Sequence, residues 1–328
     1  MSVLVTGGAG YIGGHMALGL ADAGEKTVIV DNLSTGFAWA APAAATLVVG
    51  DFGDSELIMR LIDEHEVESI AHFAAKIIVP ESVADPLGYY LNNTSNARNL
   101  IECAVRKGVR NFIFSSTAAV YGETTSEPVA ENAPLNPMSP YGRSKLMVEW
   151  MLADAGRAHD LRHVVLRYFN VAGGDPQGRL GQSTPNATHL IKRAVQTALG
   201  RHAALDVFGE DYPTRDGTCV RDYIQVTDLI DAHMAALAYL RSGGPNLVCN
   251  CGYGRGYSVR QVVEVVKRVS GVDFKVNSAG RRAGDPATIV ASADLIRREL
   301  GWRPQRDNLE AIVKQALDWE RRLHNRLD

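Results

Sequence analysis

Of the 328 residues only four are cysteine (Cys103, Cys219, Cys249 and Cys251), and none forms a Cys-x-x-Cys pair. That density cannot build a disulfide scaffold, and it points to a reduced, cytoplasmic setting. Cys249-Asn250-Cys251 is a weak ligand pair, outweighed by cysteine's usual place as a small buried hydrophobe, so no metal is expected. A positive surplus is missing too: 34 Lys and Arg face 37 Asp and Glu, a net charge of −3. General binding of nucleic acid needs that surplus, so nucleic acid is not expected as a partner. Long apolar runs are absent. The longest weakly polar stretch, Phe37 to Val49, is broken by Pro42 and Thr46. It falls short of the ~20 residues that cross a bilayer, so no membrane partner is expected. No Lys or Arg precedes Lys26, so the basic start of a secretory signal is lacking. There is no Gly-x-Ser-x-Gly and no His-Glu-x-x-His, which leaves hydrolase and zinc-peptidase readings without support.

What is there alternates. Val3-Leu4-Val5 reads as a strand, Gly7 to Gly10 as a turn, and Ile12, Met16 and Leu20 as a helix face ending at Gly24. Strands follow at Thr27–Val30, Leu47–Val49, Ser69–Phe73, Asn111–Ser115 and Val164–Leu166. Helices are expected around Leu57–Ile62, from Pro86 to Gly108, and from Pro140 to about Gly156. Nearly continuous apolar strands between helices predict a parallel sheet covered on both faces, an α/β doubly wound (Rossmann) fold. After Asn170 the pattern loosens. Helices near 191–199 and 229–241, a capping box at Ser258-x-x-Gln261, and a last helix opened by Asp307-x-x-Glu310 suggest a smaller mixed α/β domain. The expected division is 1–170 for dinucleotide binding and 171–328 for substrate, with the segment near 221–241 a candidate to return to the first domain.

The first turn carries the most specific signal. Gly7, Gly10 and Gly13 stand at three-residue spacing, and Gly8, Gly10 and Gly13 satisfy G-x-G-x-x-G. One glycine allows the tight turn, another lets the backbone approach a pyrophosphate, and the third lets helix and strand pack closely. The helix N-terminus then offers N–H groups to the anion. Asp31 ends the second strand, 18 residues after Gly13. A carboxylate there binds a ribose diol and repels a 2′-phosphate, which favours NAD over NADP.

Tyr141 and Lys145 lie at i and i+4, on one face of a helix. A tyrosine, with pKa near 10, is a poor base at neutral pH. A neighbouring ammonium and the positive ring of oxidised NAD both favour the phenolate, and the lysine can also hold ribose hydroxyls. Such a pair suits proton removal from an alcohol while hydride leaves the carbon. Ser115-Ser116-Thr117 ends a strand at the carboxyl edge of the sheet, where Thr117 can bond the reacting oxygen.

Together these features resemble the extended short-chain dehydrogenase/reductases. The closer likeness, from end to end, is to the UDP-glucose 4-epimerases. It rests on segments that include Val5–Gly13, Asp31-Asn32-Leu33, His72–Lys76, Ser139–Lys145 and Leu166–Asn170. The segments Phe208-Gly209, Asp216-Gly217-Thr218, Val220–Ile224 and Arg281-Arg282-x-Gly284-Asp285 are more diagnostic, because many sugar-nucleotide enzymes share the first half. The resemblance implies an α/β fold, bound NAD that is not consumed, a UDP-sugar substrate and a homodimer. By the same likeness Gly7, Gly10, Tyr11, Ile12, Gly13, Asp31, Asn32, Asp51, Phe52, Phe73, Ala74, Lys76, Asn92, Ser115, Tyr141, Lys145 and Phe169 meet NAD. Thr117, Asn170, Phe208, Arg221, Tyr223, Arg282 and Asp285 meet the nucleotide sugar. Arg221 and Arg282 suit a diphosphate, Phe208 a uracil face and Asp285 ribose hydroxyls.

The implied reaction interconverts UDP-galactose and UDP-glucose. Tyr141, aided by Lys145 and Thr117, takes the C4 hydroxyl proton, the 4-keto sugar turns over, and re-reduction occurs on the other face. Departures are few. Thr117 stands where the family often has serine. Ala187 follows Asn186 where some members have a second asparagine. The position gating N-acetylated sugars falls near Ile289. Ala118-Ala119 replaces the Asp-Glu of the related dehydratases, which argues against dehydration. A 4-epimerase of another UDP-sugar, a net oxidoreductase and a non-catalytic NAD sensor remain as alternatives.

Overall fold

A computed structural model describes the chain apart from Thr125, Ser126, Asn186, Ala283 and Asp328, and apart from the side chains of residues 324–328. Its strands are β1 (Ser2–Thr6), β2 (Thr27–Asp31), β3 (Thr46–Val49), β4 (Val67–His72), β5 (Asn111–Thr117), β6 (Arg162–Tyr168), β7 (Asn170–Ala172), β8 (Leu205–Phe208), β9 (Val220–Gln225), β10 (Leu247–Cys251), β11 (Gly256–Ser258), β12 (Val276–Ala279) and β13 (Thr288–Ile289). The helices are α1 (Tyr11–Asp22), α2 (Ser55–Glu64), α3 (Val79–Ala84), α4 (Pro86–Tyr89), α5 (Asn96–Arg106), α6 (Pro140–Ala158), α7 (Leu190–Ala198), α8 (Val226–Arg241), α9 (Val259–Ser270), α10 (Asp294–Glu299) and α11 (Leu309–Leu327).

Seven strands form one parallel sheet in the order β3-β2-β1-β4-β5-β6-β10. Period-two alternation sorts their side chains between two cores. Val3, Val5 and Ile29 face α1 and α8, with Met16, Leu20 and Ile230. Leu4, Val28 and Val30 face α2, α5 and α6, with Ile58, Leu100 and Val148. Every residue of β1, β2 and β5 is buried, so the sequence shows runs rather than alternation.

The chain returns to this sheet after leaving it. Helix α8 packs on α1, and β10 pairs with β6, placing Cys249 beside Leu166 and Cys251 beside Tyr168. Among the described residues no group of His, Cys, Asp and Glu is arranged to hold a metal ion. No described helix is long and apolar enough to cross a membrane. The rest of the second half is built on β7, β9, β11 and β13, a β8–β12 pair, and mutually packed α7, α9 and α11.

One local expectation is refined and one is corrected. The helix expected from Pro86 runs on to Arg106, but with a π-helical turn at Tyr90–Ser95 between α4 and α5. That turn reaches α6, where Asn93 Nδ2 donates to Ser144 Oγ at 3.1 Å and Thr94 Oγ1 to the Ser144 carbonyl at 3.3 Å. The last helix is capped by Asn308, whose Oδ1 accepts from Ala311 N at 3.0 Å, and not by Asp307. Asp307 instead lies 3.7 Å from Arg255. The Ser258–Gln261 capping box forms as read.

Candidate active site

Because the large sheet is parallel, its carboxyl ends lie along one edge, and the residues singled out by the sequence collect there. Gly7 follows β1, Asp31 ends β2, Asp51 follows β3, Phe73 follows β4, Thr117 ends β5 and Phe169 follows β6.

Gly7 adopts φ of +72°, and a Cβ there would come within 2.7 Å of Ala74 N. A Cβ at Gly13 would collide with the Gly7 carbonyl. Gly7 is therefore required twice, by backbone conformation and by close packing, and Gly13 by close packing alone. Gly10 precedes α1, and no side chain caps the first turn of that helix. Its N-terminus is thus presented to a ligand rather than to a capping group. The Tyr11 phenol donates to the Gly173 carbonyl at 2.8 Å, which ties this turn to the second half of the chain.

Asp31 is buried, and its carboxylate accepts from Ala9 N and Leu33 N, each at 2.9 Å. Leu33 sits at φ +56°, an unusual conformation for leucine that this contact supports. Asn32 Nδ2 reaches Asp51 at 3.5 Å, and Asp51 also accepts from Gly53 N at 2.7 Å. Phe52 is buried against His72, with ring centroids 5.0 Å apart. Phe73 packs on His233 at 4.9 Å, and Ala74 N lies 3.5 Å from Thr6 Oγ1. Lys76 pairs with Glu81 at 3.3 Å, and Asn92 Nδ2 donates to Asn93 at 2.9 Å. Glycine cradle, uncapped helix and buried acid together fit a dinucleotide.

Pro140 opens α6 behind Ser139, whose hydroxyl accepts from Gly142 N at 3.2 Å. This start places Tyr141 and Lys145 against the end of β5. Burial raises the pKa of the Tyr141 phenol, and the neighbouring Thr117 hydroxyl works against it by lowering it. Lys145 is 3% exposed; its Nζ donates to the Ser115 carbonyl at 2.9 Å and lies 4.9 Å from the centre of the Phe114 ring. Burial pulls this amine down to about 7, against the Glu149 carboxylate, which raises it. The Ser115 hydroxyl is buried and makes no hydrogen bond of standard geometry. A phenol, a hydroxyl and an amine of unusually low basicity thus converge, an arrangement suited to moving one proton.

The residues read as sugar-nucleotide ligands fall into two groups. Asn170 and Tyr223 are register partners in the β7–β9 pair, and Tyr223 is buried. Arg221 lies beside Ile289 in the β9–β13 pair, its guanidinium on the carbonyls of Val220 (2.9 Å) and Ala287 (3.4 Å). Ile289 and Phe169 share a small core with Ala118, next to Thr117. Farther out, the Arg282 guanidinium stacks 3.7 Å from the centre of the Phe208 ring. Asp285 N reaches the Arg282 carbonyl at 3.4 Å, closing the same loop. Asn186 lies outside the described residues; Ala187 is buried.

Sequence reasoning missed two buried ion pairs. Glu149 and Arg167, each about 5% exposed in the side chain, pair at 2.6 Å behind Lys145. Lys192 of α7 and Glu320 of α11 pair at 2.5 Å, lining a cavity with Asn170 and Tyr223. Tyr141-x3-Lys145-x3-Glu149 was a visible helical spacing, yet its partner Arg167 lies on another element.

The pattern of the NAD dependent epimerase/dehydratase family matches residues 3–252. A UDP-glucose 4-epimerase of Azospirillum brasilense is 57% identical over 321 residues, covering 98% of this chain and 92% of that protein. A crystal structure of a UDP-glucose 4-epimerase superposes with a TM-score of 0.96 at 42% identity, covering 99% of each chain. The enzyme of the same name from Brucella ovis, solved in complex with NAD, gives 0.94 at 43% identity over 97% of each. With a dinucleotide turn, a Tyr-Lys pair and full-length likeness in agreement, the chain belongs to the NAD-dependent epimerase/dehydratase family and, within it, to the UDP-glucose 4-epimerases.

Proposed function

We propose that this chain interconverts UDP-galactose and UDP-glucose, with Tyr141 as the acid/base group at the sugar C4 oxygen. The observation that carries the assignment is the meeting of the Tyr141 phenol with the Thr117 hydroxyl on the edge that also bears the glycine turn and Asp31. NAD, when bound, supplies the acceptor and donor of the C4 hydride.

Gly7, Gly10, Tyr11, Ile12 and Gly13 hold the pyrophosphate at the start of α1. Asp31, Asn32, Asp51 and Phe52 surround the adenosine end. Phe73, Ala74, Lys76, Asn92, Ser115 and Phe169 line the approach to the nicotinamide end. Lys145 bonds the ribose there and supports a phenolate on Tyr141. Thr117 steadies the C4 oxygen while Tyr141 Oη takes its proton and later returns it. Arg221 and Arg282 bind the diphosphate, Phe208 the base, Asp285 the ribose, and Asn170 and Tyr223 the phosphate–sugar junction. A firm grip on the nucleotide and a loose grip on the hexose let both epimers present C4 to one base, because remote binding energy does the positioning.

Residues 1–170 with 226–251 form the cofactor-binding body, and the remainder forms the nucleotide-sugar lobe. The working unit is a homodimer. Val83, Leu87, Leu91 and Trp150, between 56% and 78% exposed around α3–α6, give it an apolar face, and sedimentation measures its mass.

Incubation with UDP-galactose and no added NAD should yield UDP-glucose. Tyr141→Phe should retain bound NAD and lose activity by about a hundred- to ten-thousand-fold, the span of a single general acid/base. Near-normal turnover in that variant rejects the assignment.

A further inference from the structure

Three consecutive residues at the end of β5 each face a different residue of α6. The Ser115 carbonyl accepts from Lys145 Nζ at 2.9 Å, the Ser116 hydroxyl donates to Glu149 Oε1, and the Thr117 hydroxyl neighbours the Tyr141 phenol. Tyr141, Lys145 and Glu149 follow one another at four-residue spacing, so they form one stripe along the helix. Glu149 is gripped on its far side by Arg167, the cross-strand neighbour of Ser116, through Nε at 3.1 Å and Nη2 at 2.6 Å. Arg167 is fixed in turn by the Tyr121 hydroxyl at 3.0 Å, which donates to Asn250 at 2.6 Å. Glu149 is 5% exposed, so its charge is poorly screened by solvent.

Resting on the reaction proposed above, we propose that Glu149 is a positioning residue for that reaction: a buried carboxylate, held by Ser116 and Arg167, that keeps Lys145 protonated beside Tyr141. The charged and titratable groups around Lys145 include Tyr141 and Glu149 on α6, His72 on β4 and, on β6, Tyr168 beside Thr117 and Arg167 behind Glu149. His72 is buried and held neutral, its pKa well below the usual value because of desolvation and the Lys145 charge. It does not titrate in the window where Lys145 does. The carboxylate of Glu149 raises the Lys145 amine against its burial.

The two ends of the Glu149–Arg167 pair should move Lys145 in opposite directions. Glu149→Gln leaves the Arg167 charge uncompensated, so Lys145 should lose its proton about one pH unit lower. Arg167→Gln leaves Glu149 uncompensated, so Lys145 should lose it higher. Glu149→Asp keeps the charge and should restore most of the wild-type value. The titration is read in the holoenzyme from the 13Cε resonance of Lys145, assigned by its disappearance in Lys145→Met. The alkaline limb of the kcat profile should follow it, with KM for UDP-galactose changed less than kcat.

A single variant that leaves a lone buried charge is prone to misfold. The double variant Glu149→Gln/Arg167→Gln leaves none, and it should still lower the Lys145 titration, by less than Glu149→Gln does. An unmoved Lys145 titration in Glu149→Gln or the double variant, with Tyr141→Phe inactive, overturns this inference and spares the reaction. Equal damage by Glu149→Asp and Glu149→Gln, with no shift in either, assigns Glu149 to packing alone. Full activity of Tyr141→Phe sinks the reaction itself.

Discussion

Asp31 has two separable tasks. Its carboxylate accepts from Ala9 N and Leu33 N and so shapes the turns on either side of the proposed ribose site. Its negative charge opposes a 2′-phosphate. Asp31→Asn keeps one acceptor oxygen and removes the charge. A hydrogen bond to a charged group contributes about 1.5–3 kcal/mol, so the preference for NAD over NADP should fall by about tenfold or more. Titration calorimetry of the apoprotein with each dinucleotide measures the ratio. An unchanged ratio would place the discrimination elsewhere, for instance at Asn32. The same scale explains why this part of the site is readable in the chain. Glycine spacing and a strand-end acid are local demands of backbone and charge, written within 25 residues. Arg167 could not be paired with Glu149 in that way, because cross-strand register, and not spacing, brings them together.

At the scale of elements, legibility follows burial. The inner strands of the large sheet, such as β1 and β5, are covered on both faces and therefore leave continuous apolar runs. The second half uses strands as short as Thr288–Ile289, whose pairing with Val220-Arg221 is set by tertiary contact alone. Neither composition nor period marks them. The capping box is the exception, since it is local. Ser258 Oγ accepts from Gln261 N at 3.1 Å, and Gln261 Oε1 accepts from Ser258 N at 2.8 Å. Ser258 also donates to Asp216 and ends β11, which lies against Arg221. Ser258→Ala should cost about 1–2 kcal/mol, the scale of a lost N-cap, and lower the thermal midpoint by a few degrees. Because Tyr257 pairs with Arg221, KM for the nucleotide sugar should rise more than kcat falls. Scanning calorimetry and steady-state kinetics on one preparation test both halves, and an unchanged midpoint would deny the cap its structural part.

For the whole molecule, the buried histidines decide how stability depends on pH. Burial lowers His15, His163 and His233 each to about 4, from an ordinary value near 6.5. The folded state therefore keeps them neutral, while the unfolded chain takes up their protons as pH falls through 6.5. Stability is fully present above that value and is lost progressively down to about pH 4. Each site can contribute on the order of 3 kcal/mol across that interval. Asp222 works the other way. Its carboxyl accepts from Tyr253 N, Gly254 N and Ala291 N, yet burial raises it to about 6, so the fold takes up a proton there before the unfolded chain does. His72 and His189 are lowered by burial as well, so the histidines outweigh Asp222 and leave a net loss on acidification. His233, fully buried under Phe73 with its Nδ1 on the Leu229 carbonyl at 2.9 Å, is the cleanest probe. His233→Gln cannot be protonated and still offers a hydrogen-bonding group. Urea unfolding at pH 7.5 and at about pH 5 should show a smaller difference between the two for the variant than for the parent, by roughly 1–2 kcal/mol. An identical difference would mean that His233 is already protonated in the fold, which a ring packed between Phe73 and Tyr168 gives no room to solvate.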